Sequence, residues 1–417
     1  MRRDAVVLGA GIVGVATAIH LRKRGLSVAL VDRRAPGEET SHGNAGLIQR
    51  EGVHPYMFPR NAADILRAAF RRGTDADYHL SALPHVAPFL LRYFRASASE
   101  KARRTFLANI PLFERCLDAH ATLMREAGSE HLVSRRGWIR VFRDERAIPD
   151  AERKVGELRD LGLTVDPLDD AGLRALEPHL DTAEINGAMH YHDPWNCSDP
   201  GALVKSYAAL FETLGGELVT AEVRSVERRE GGWHVETAEQ GISADHVVVA
   251  LGPWSRQMAE RLGIRLPMGI KRGYHRHFAP AGNAYLTRHI VDDQCGYVLA
   301  PMVRGIRLTT GAEFARQHAP PTPRQLRRVL PLARQLFPLG DAVDDAPWIG
   351  CRPVFPDMLP VLGPAPSLPG LWLNFGHGHH GFTLGPATGE LLAQMIAGDE
   401  PFCDPAPYAA SRFIGGA

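Results

Sequence analysis

Cysteine is scarce in this chain: five residues, at 116, 197, 295, 351 and 403, with no CxxC pair and no Cys/His cluster of metal-ligating spacing. That usage excludes a disulfide framework and fits a reducing, intracellular compartment. No charge of one sign dominates, since 48 Lys+Arg face 47 Asp+Glu for a net charge of +1. The balance argues against a surface built to attract nucleic acid, so any phosphate is to be recognised locally. No apolar run reaches the roughly 20 residues that span a bilayer. The opening Met1-Arg2-Arg3 and its apolar sequel have the outline of a leader peptide, but glycines at 9, 11 and 14 give that run another purpose. The expectation is a cytoplasmic protein, with peripheral contact at the inner face of the membrane left open. Internal repeats and low-complexity tracts are missing too, so the length is a matter of domains.

What is present is a 417-residue chain, 45% hydrophobic, long enough for two domains around sizeable cores. Ala5–Leu8 is a short apolar run, Gly9–Gly14 a glycine turn, Val15–Arg24 a helical pattern closed by Gly25, and Ser27–Val31 a second apolar run closed by Asp32. Strand, turn, helix, strand is the βαβ unit of a parallel sheet, so the fold class is α/β. Asn61 to about Gly128 is helical in composition, with Pro111 expected to start or kink a helix. Trp138–Arg143 reads as a strand, and Ala151–Leu161 and Pro200–Gly215 as helices. A strand meander over Glu217–Thr237 leads to a buried strand over Asp245–Gly252. Alternation between 270 and 312, with Tyr274, Tyr285 and Tyr297 in separate runs, predicts a second, more antiparallel sheet. Leu371–Phe375 reads as a strand, followed by a His/Gly turn and a last helix from about Pro386 to Ala397.

The run Gly9-Ala-Gly11-Ile12-Val13-Gly14 is GxGxxG directly after a strand and opening a helix. Gly9 permits the tight turn, Gly11 lets backbone approach a pyrophosphate, and Gly14 lets helix and strand pack closely. The helix N-terminus offers unpaired amides and a positive dipole end. Asp32 stands where a carboxylate accepts ribose hydroxyls. The fingerprint does not separate NAD from FAD.

Other segments carry more. Thr40-Ser41-His42-Gly43-Asn44-Ala45-Gly46, Val247–Ser255, Gly350-Cys-Arg352-Pro353 continuing to Gly363, and Gly376-His377-Gly378-His379-His380-Gly381 continuing to Gly385 resemble the D-amino-acid oxidase superfamily of flavoproteins, most closely its bacterial D-amino-acid dehydrogenase branch, over nearly the whole chain. The resemblance implies a Rossmann-like FAD-binding domain from residues 1–60, 185–268 and 345–417, with 61–184 and 269–344 forming a substrate domain of antiparallel sheet plus helices.

It also implies roles. Cofactor contacts fall to Gly9, Gly11, Ile12, Val13, Gly14, Asp32 and Arg33, to Ser41, His42, Asn44, Ala45, Gly46 and Leu47, to Val223, Gly252 and Trp254, and to the turn Gly376–Gly381 with Phe382 and Thr383. Some relatives attach FAD covalently to a histidine in a loop of this kind. His42 lies one position away from that pattern, so FAD is expected to be non-covalent. The three imidazoles of the Gly376–Gly381 turn invite a metal reading, but no acidic or cysteine ligand lies nearby and the glycines suit a flat ligand.

Arg352, between Gly350 and a proline-rich turn, is the carboxylate-binding arginine that the resemblance implies, and a guanidinium grips a carboxylate with two parallel bonds. Tyr274, Tyr285 or Tyr297 would place a hydroxyl over substrate; Tyr274 sits in Lys271-Arg272-Gly-Tyr, where the family motif has Lys-Gly-Tyr. His54 and Tyr56 are further candidates for closing the pocket. The expected reaction is oxidation of a D-amino acid, proline-like compounds such as D-hydroxyproline among them. Hydride would pass from Cα to flavin N5 and the imine would be hydrolysed, with orientation as the main device. A quinone or an electron-transfer partner is the expected acceptor. The rivals are a flavin oxidase of glycine, sarcosine or cyclic imino acids using oxygen, an NAD-dependent dehydrogenase without flavin, and a non-catalytic dinucleotide-binding module.

Overall fold

The first apolar run becomes β1 (Arg2–Leu8), the glycine turn opens α1 (Ile12–Lys23), and the second run becomes β2 (Val28–Asp32) in a computed structural model that describes residues 2–61, 65, 69, 70, 73, 74 and 76–414. β1 lies between β2 and the strand Gly241–Val249, parallel to both, and Glu217–Thr220 continues the sheet beyond β2. A central parallel strand is covered on both faces, which is why Ala5–Leu8 is apolar without alternation and fully buried. Gly241–Val249 is long enough to serve two neighbours. Its first half pairs antiparallel with Gly232–Thr237 and its last three residues run parallel to Leu371–Phe375.

Helices cover this sheet. α1 packs on Gly381–Ala397, and Gly389 lets the two backbones close in, since a Cβ there would lie 2.7 Å from Thr17 N. The helix Ser99–Glu126 runs through Pro111 without ending, burying Leu112, Phe113, Cys116, Ala119, Leu123 and Met124 as one stripe, and Arg115 ties it to Glu390 at 2.7 Å. The final helix begins at Gly381, a turn earlier than Pro386 would suggest. A proline at 386 cannot donate to the carbonyl of Phe382; His120 Nε2 bonds that oxygen instead, at 2.8 Å.

A second sheet is built on Gly269–Pro280, which pairs antiparallel with Gly305–Thr310 and Trp348–Val354. Tyr297–Met302 and His289–Asp292 extend it, and His289–Asp292 joins Trp138–Phe142, with Gly187–Tyr191 and Val165–Leu168 beyond. Two strands assigned from the sequence to the cofactor segments, Gly187–Tyr191 and Trp348–Val354, therefore belong to this sheet. Long-range register decides that, and a strand's sequence does not show its partner. Tyr285 lies outside the strands and is exposed. The part of the helical stretch at 62–64, 66–68, 71, 72 and 75 lies outside the described residues. No described helix is long and apolar enough to cross a membrane.

Candidate active site

One cleft of about 770 Å³ runs from the β1–α1 turn, past the 40–47 loop and the 376–382 turn, to the strands Gly269–Pro280 and Trp348–Val354. Gly9, Gly11, Ile12, Val13, Asp32, Arg33, Val223, Gly252 and Trp254 line one end. Gly9 has φ +108 and donates to Val31 O at 2.8 Å; a Cβ there would lie 2.5 Å from Ala250 O. Gly14 faces the turn rather than the cleft, and a Cβ on it would overlap the Gly9 carbonyl oxygen. The helix has no side chain at its N-cap, Gly11, and Ser41 Oγ accepts from Ile12 N at 3.1 Å. Asp32 accepts from Ala10 N at 2.7 Å and Arg34 N at 3.0 Å, while burial raises its pKa above the ordinary carboxylate value. Arg33 pairs with Glu39 at 2.7 Å and lies over the Trp254 ring at 4.4 Å.

Ser41, Asn44, Ala45 and Leu47 line the next stretch. Their loop is held from outside by its carbonyls. Arg307 donates to His42 O at 3.1 Å and to Asn44 O, His289 Nε2 reaches Ala45 O at 2.6 Å, and Cys197 N donates to Gly46 O at 2.7 Å. Arg307 is itself set by His277, at 3.0 Å, whose other nitrogen meets Asp344 at 2.7 Å. His42 and Gly46, expected to touch the cofactor, do not line the cleft: the His42 ring faces Trp348 and His275, and Gly46 backs onto Cys197. Substituting Arg307→Met is expected to weaken FAD binding by roughly 10-fold or more, since it removes charge-assisted bonds of about 1.5–3 kcal/mol each. Titrating apoprotein with FAD measures this, and unchanged affinity would count against the loop as a preformed cradle.

Across the cleft stand Asn374, Gly376, His377, Gly378, His379, Gly381 and Phe382. The three histidines have different surroundings, although the His379 and His380 rings lie 3.7 Å apart. His377 Nε2 meets Thr388 Oγ1 at 3.0 Å, His380 packs against Phe113 at 4.9 Å outside the cleft, and His379 faces it, with its Nε2 buried and unpartnered. Burial pushes all three below the ordinary imidazole range, to about 3 for His377 and His380 and well down for His379, so they are neutral. Thr383, also off the cleft, accepts from Gln49 N at 3.2 Å and so ties the two walls together.

At the far end Arg352 lies across Gly273, where a Cβ would come within 2.6 Å of the guanidinium nitrogens, and donates to Gly311 O at 2.9 Å and Thr310 O at 3.3 Å. Its register partner on the adjoining strand is Lys271, which stands in the motif around Tyr274 but has no role assigned from the sequence. Period-2 alternation is the signal that could have found it: Lys271 and Gly273 share the cleft face, whereas Arg272 and Tyr274 share the other and bond each other at 2.9 Å. Tyr274 borders the cleft, but its hydroxyl is engaged with Glu313 at 2.9 Å and Thr322 N at 2.8 Å. Lys271 donates to Tyr93 Oη at 3.1 Å and sits over that ring at 4.4 Å; burial and the Arg352 charge push its pKa down to about 7. Tyr56, Phe58, Tyr93 and Phe314 form aromatic walls, with Tyr56 edge-on to His379 at 4.7 Å. His54 is packed on Phe106 at 4.8 Å and does not line the cleft. Tyr297 does, but its hydroxyl accepts from Arg143 at 3.4 Å.

The FAD dependent oxidoreductase family model matches residues 4–395. A protein named D-amino acid dehydrogenase 2 from Ralstonia nicotianae is 32% identical, covering 97% of this chain and 99% of its own. A D-amino acid dehydrogenase from Chromohalobacter salexigens is 29% identical, with 98% and 99% covered. The crystal structure of glycine oxidase from Geobacillus kaustophilus superposes with a TM-score of 0.77 at 23% identity, over 99% of this chain and all of that one, and shares the fold. The match decides between the two dinucleotides in favour of FAD. The site fits that cofactor: Gly9 and Gly11 put no side chain between backbone and cleft, and two lining residues, Asn374 and His379, each hold a buried polar atom without a partner, Oδ1 and Nε2.

Proposed function

The chain belongs to the FAD dependent oxidoreductase family, and on that premise we propose that it oxidises the α-carbon of a D-amino acid whose carboxylate is held by Arg352. The observation that carries this reading is the guanidinium itself. It lines the cleft with its bonds directed at two backbone carbonyls, and among the described residues no carboxylate neutralises it. A cation withdrawn from water without a counter-ion favours an anionic ligand. The names of the relatives supply the D-amino acid class.

FAD, when bound, supplies the acceptor for the hydride leaving Cα. The chain's residues bind and orient. Arg352 fixes the carboxylate with N–H donors not used on Gly311 and Thr310. Tyr56, Phe58 and Phe314 exclude water from the amine and Cα. His379, neutral, adds no positive charge beside the amine, which must itself be neutral to react. The FAD is read as non-covalent, since His42 is turned to Trp348. Electrons pass on to a quinone or a carrier protein.

The test is anaerobic absorbance of the holoenzyme while D- and L-amino acids, cyclic imino acids and glycine derivatives are added singly. Bleaching by D-compounds, with slow recovery in air and fast recovery on adding a quinone analogue, is the expected result. Bleaching by none of them would overturn the substrate class, and fast recovery in air would overturn the acceptor.

A further inference from the structure

Two cations stand side by side at one end of the cleft. Lys271 and Arg352 are register partners on antiparallel strands, so their side chains leave the same face with Cβ atoms about 5 Å apart. Arg352 leans over Gly273, away from Lys271, and the two head groups do not converge on one acceptor: Arg352 donates to Gly311 and Thr310, Lys271 to Tyr93. Acidic residues do line the cleft, but elsewhere. Asp32, Glu39 and Glu222 belong to the β2 end, and Asp293 is paired with Arg140 at 2.7 Å. Among the described residues neither Lys271 nor Arg352 has an ion-pair partner.

Resting on the reading that Arg352 takes the α-carboxylate, we propose that Lys271 takes a second carboxylate on the substrate side chain, so that the preferred substrates are acidic D-amino acids of the aspartate and glutamate class. A monocarboxylate would neutralise one buried cation and leave the other without a counter-ion, which weakens its binding roughly 10-fold or more relative to a dicarboxylate. A dicarboxylic amino acid neutralises both. The ammonium keeps two donors free after its bond to Tyr93 Oη, which is itself oriented by donating to Tyr56 O. The aromatic rings of Tyr93 and Phe314, 4.4 and 5.9 Å from the Lys271 ammonium, raise the demand for a partner by keeping water away. A bound side-chain carboxylate also restores the charged form of a lysine that burial and Arg352 have pushed down to about 7.

Two ratios test this in the holoenzyme: kcat/KM for D-glutamate over D-glutamine, which differ in charge but little in shape, and affinity for glutarate over butyrate, read from perturbation of the flavin absorbance. The wild type is expected to show both ratios at 10 or above. Lys271→Met is expected to bring both close to one, and Lys271→Arg to restore them. Wild-type ratios near or below one would overturn the proposal, as would ratios that survive in Lys271→Met; the wild-type values decide alone if that variant does not fold. Should no D-amino acid reduce the flavin, the substrate class fails while the glutarate ratio still judges Lys271.

Discussion

Arg352→Ala is expected to lower kcat/KM for carboxylated substrates by roughly 30- to 1000-fold, the equivalent of about 2–4 kcal/mol for a lost buried, charge-assisted contact. Most of the loss should fall on KM, because the guanidinium binds a group that does not change charge during the reaction. The guanidinium is positioned from beneath: Gly273 leaves it room, and the carbonyls of Gly311 and Thr310 take one bond each. Steady-state kinetics with an amino acid and with the corresponding amine lacking the carboxylate distinguish anchoring from general damage. The variant should lose its preference for the acid, and kinetics unchanged from wild type would remove Arg352 from the site.

The second large effect is expected at Gly14. A methyl group there would occupy the position of the Gly9 carbonyl oxygen, and both atoms are backbone-fixed. Gly14→Ala must therefore separate α1 from the turn or distort the turn, at about 1–3 kcal/mol as for other overpacked sites, with loss of most bound flavin. Gly11→Ala provides the contrast. Its Cβ would meet only Ser41 Oγ, at 3.3 Å, but it would project where Gly11 borders the cleft. Gly11→Ala should thus weaken FAD while leaving apoprotein melting near wild type, whereas Gly14→Ala should lower both. Thermal melts with and without FAD separate the two, and a Gly14→Ala protein as yellow and as stable as the wild type would contradict the packing argument.

Much of the cofactor end is legible in the residues alone. β1, the glycine turn, α1 and β2 are contiguous, and each is specified by its own residues: apolar runs without alternation, glycines where backbone must approach, and an acid at the strand end. Asp32, Ser41, Asn44 and the Gly376–Gly381 turn reach the cleft as their motifs suggest. The substrate end is less legible. Tyr274 offers a hydroxyl that a buried Arg272–Glu313 pair in fact engages, and His54, near the 40–47 loop in sequence, packs on Phe106 and does not line the cleft. His42 has the look of a cofactor ligand because its loop lines the cleft, yet its ring packs behind that loop and its carbonyl serves Arg307.

By itself, then, the sequence determined the βαβ unit, the dinucleotide turn and the helices that carry an apolar stripe, because each rests on the pattern of near neighbours in the chain. Tertiary structure alone decided which strands share a sheet and hence that Lys271 stands beside Arg352. It decided that the last helix begins before Pro386, because His120 arrives from Ser99–Glu126 to bond the Phe382 carbonyl. It also decided that Arg307 and His289 hold the 41–46 loop from behind. The reason is common to all three: pairing register and buried polar partners are set by which distant segments are brought together, and a polar group in the chain carries no local mark of its eventual partner.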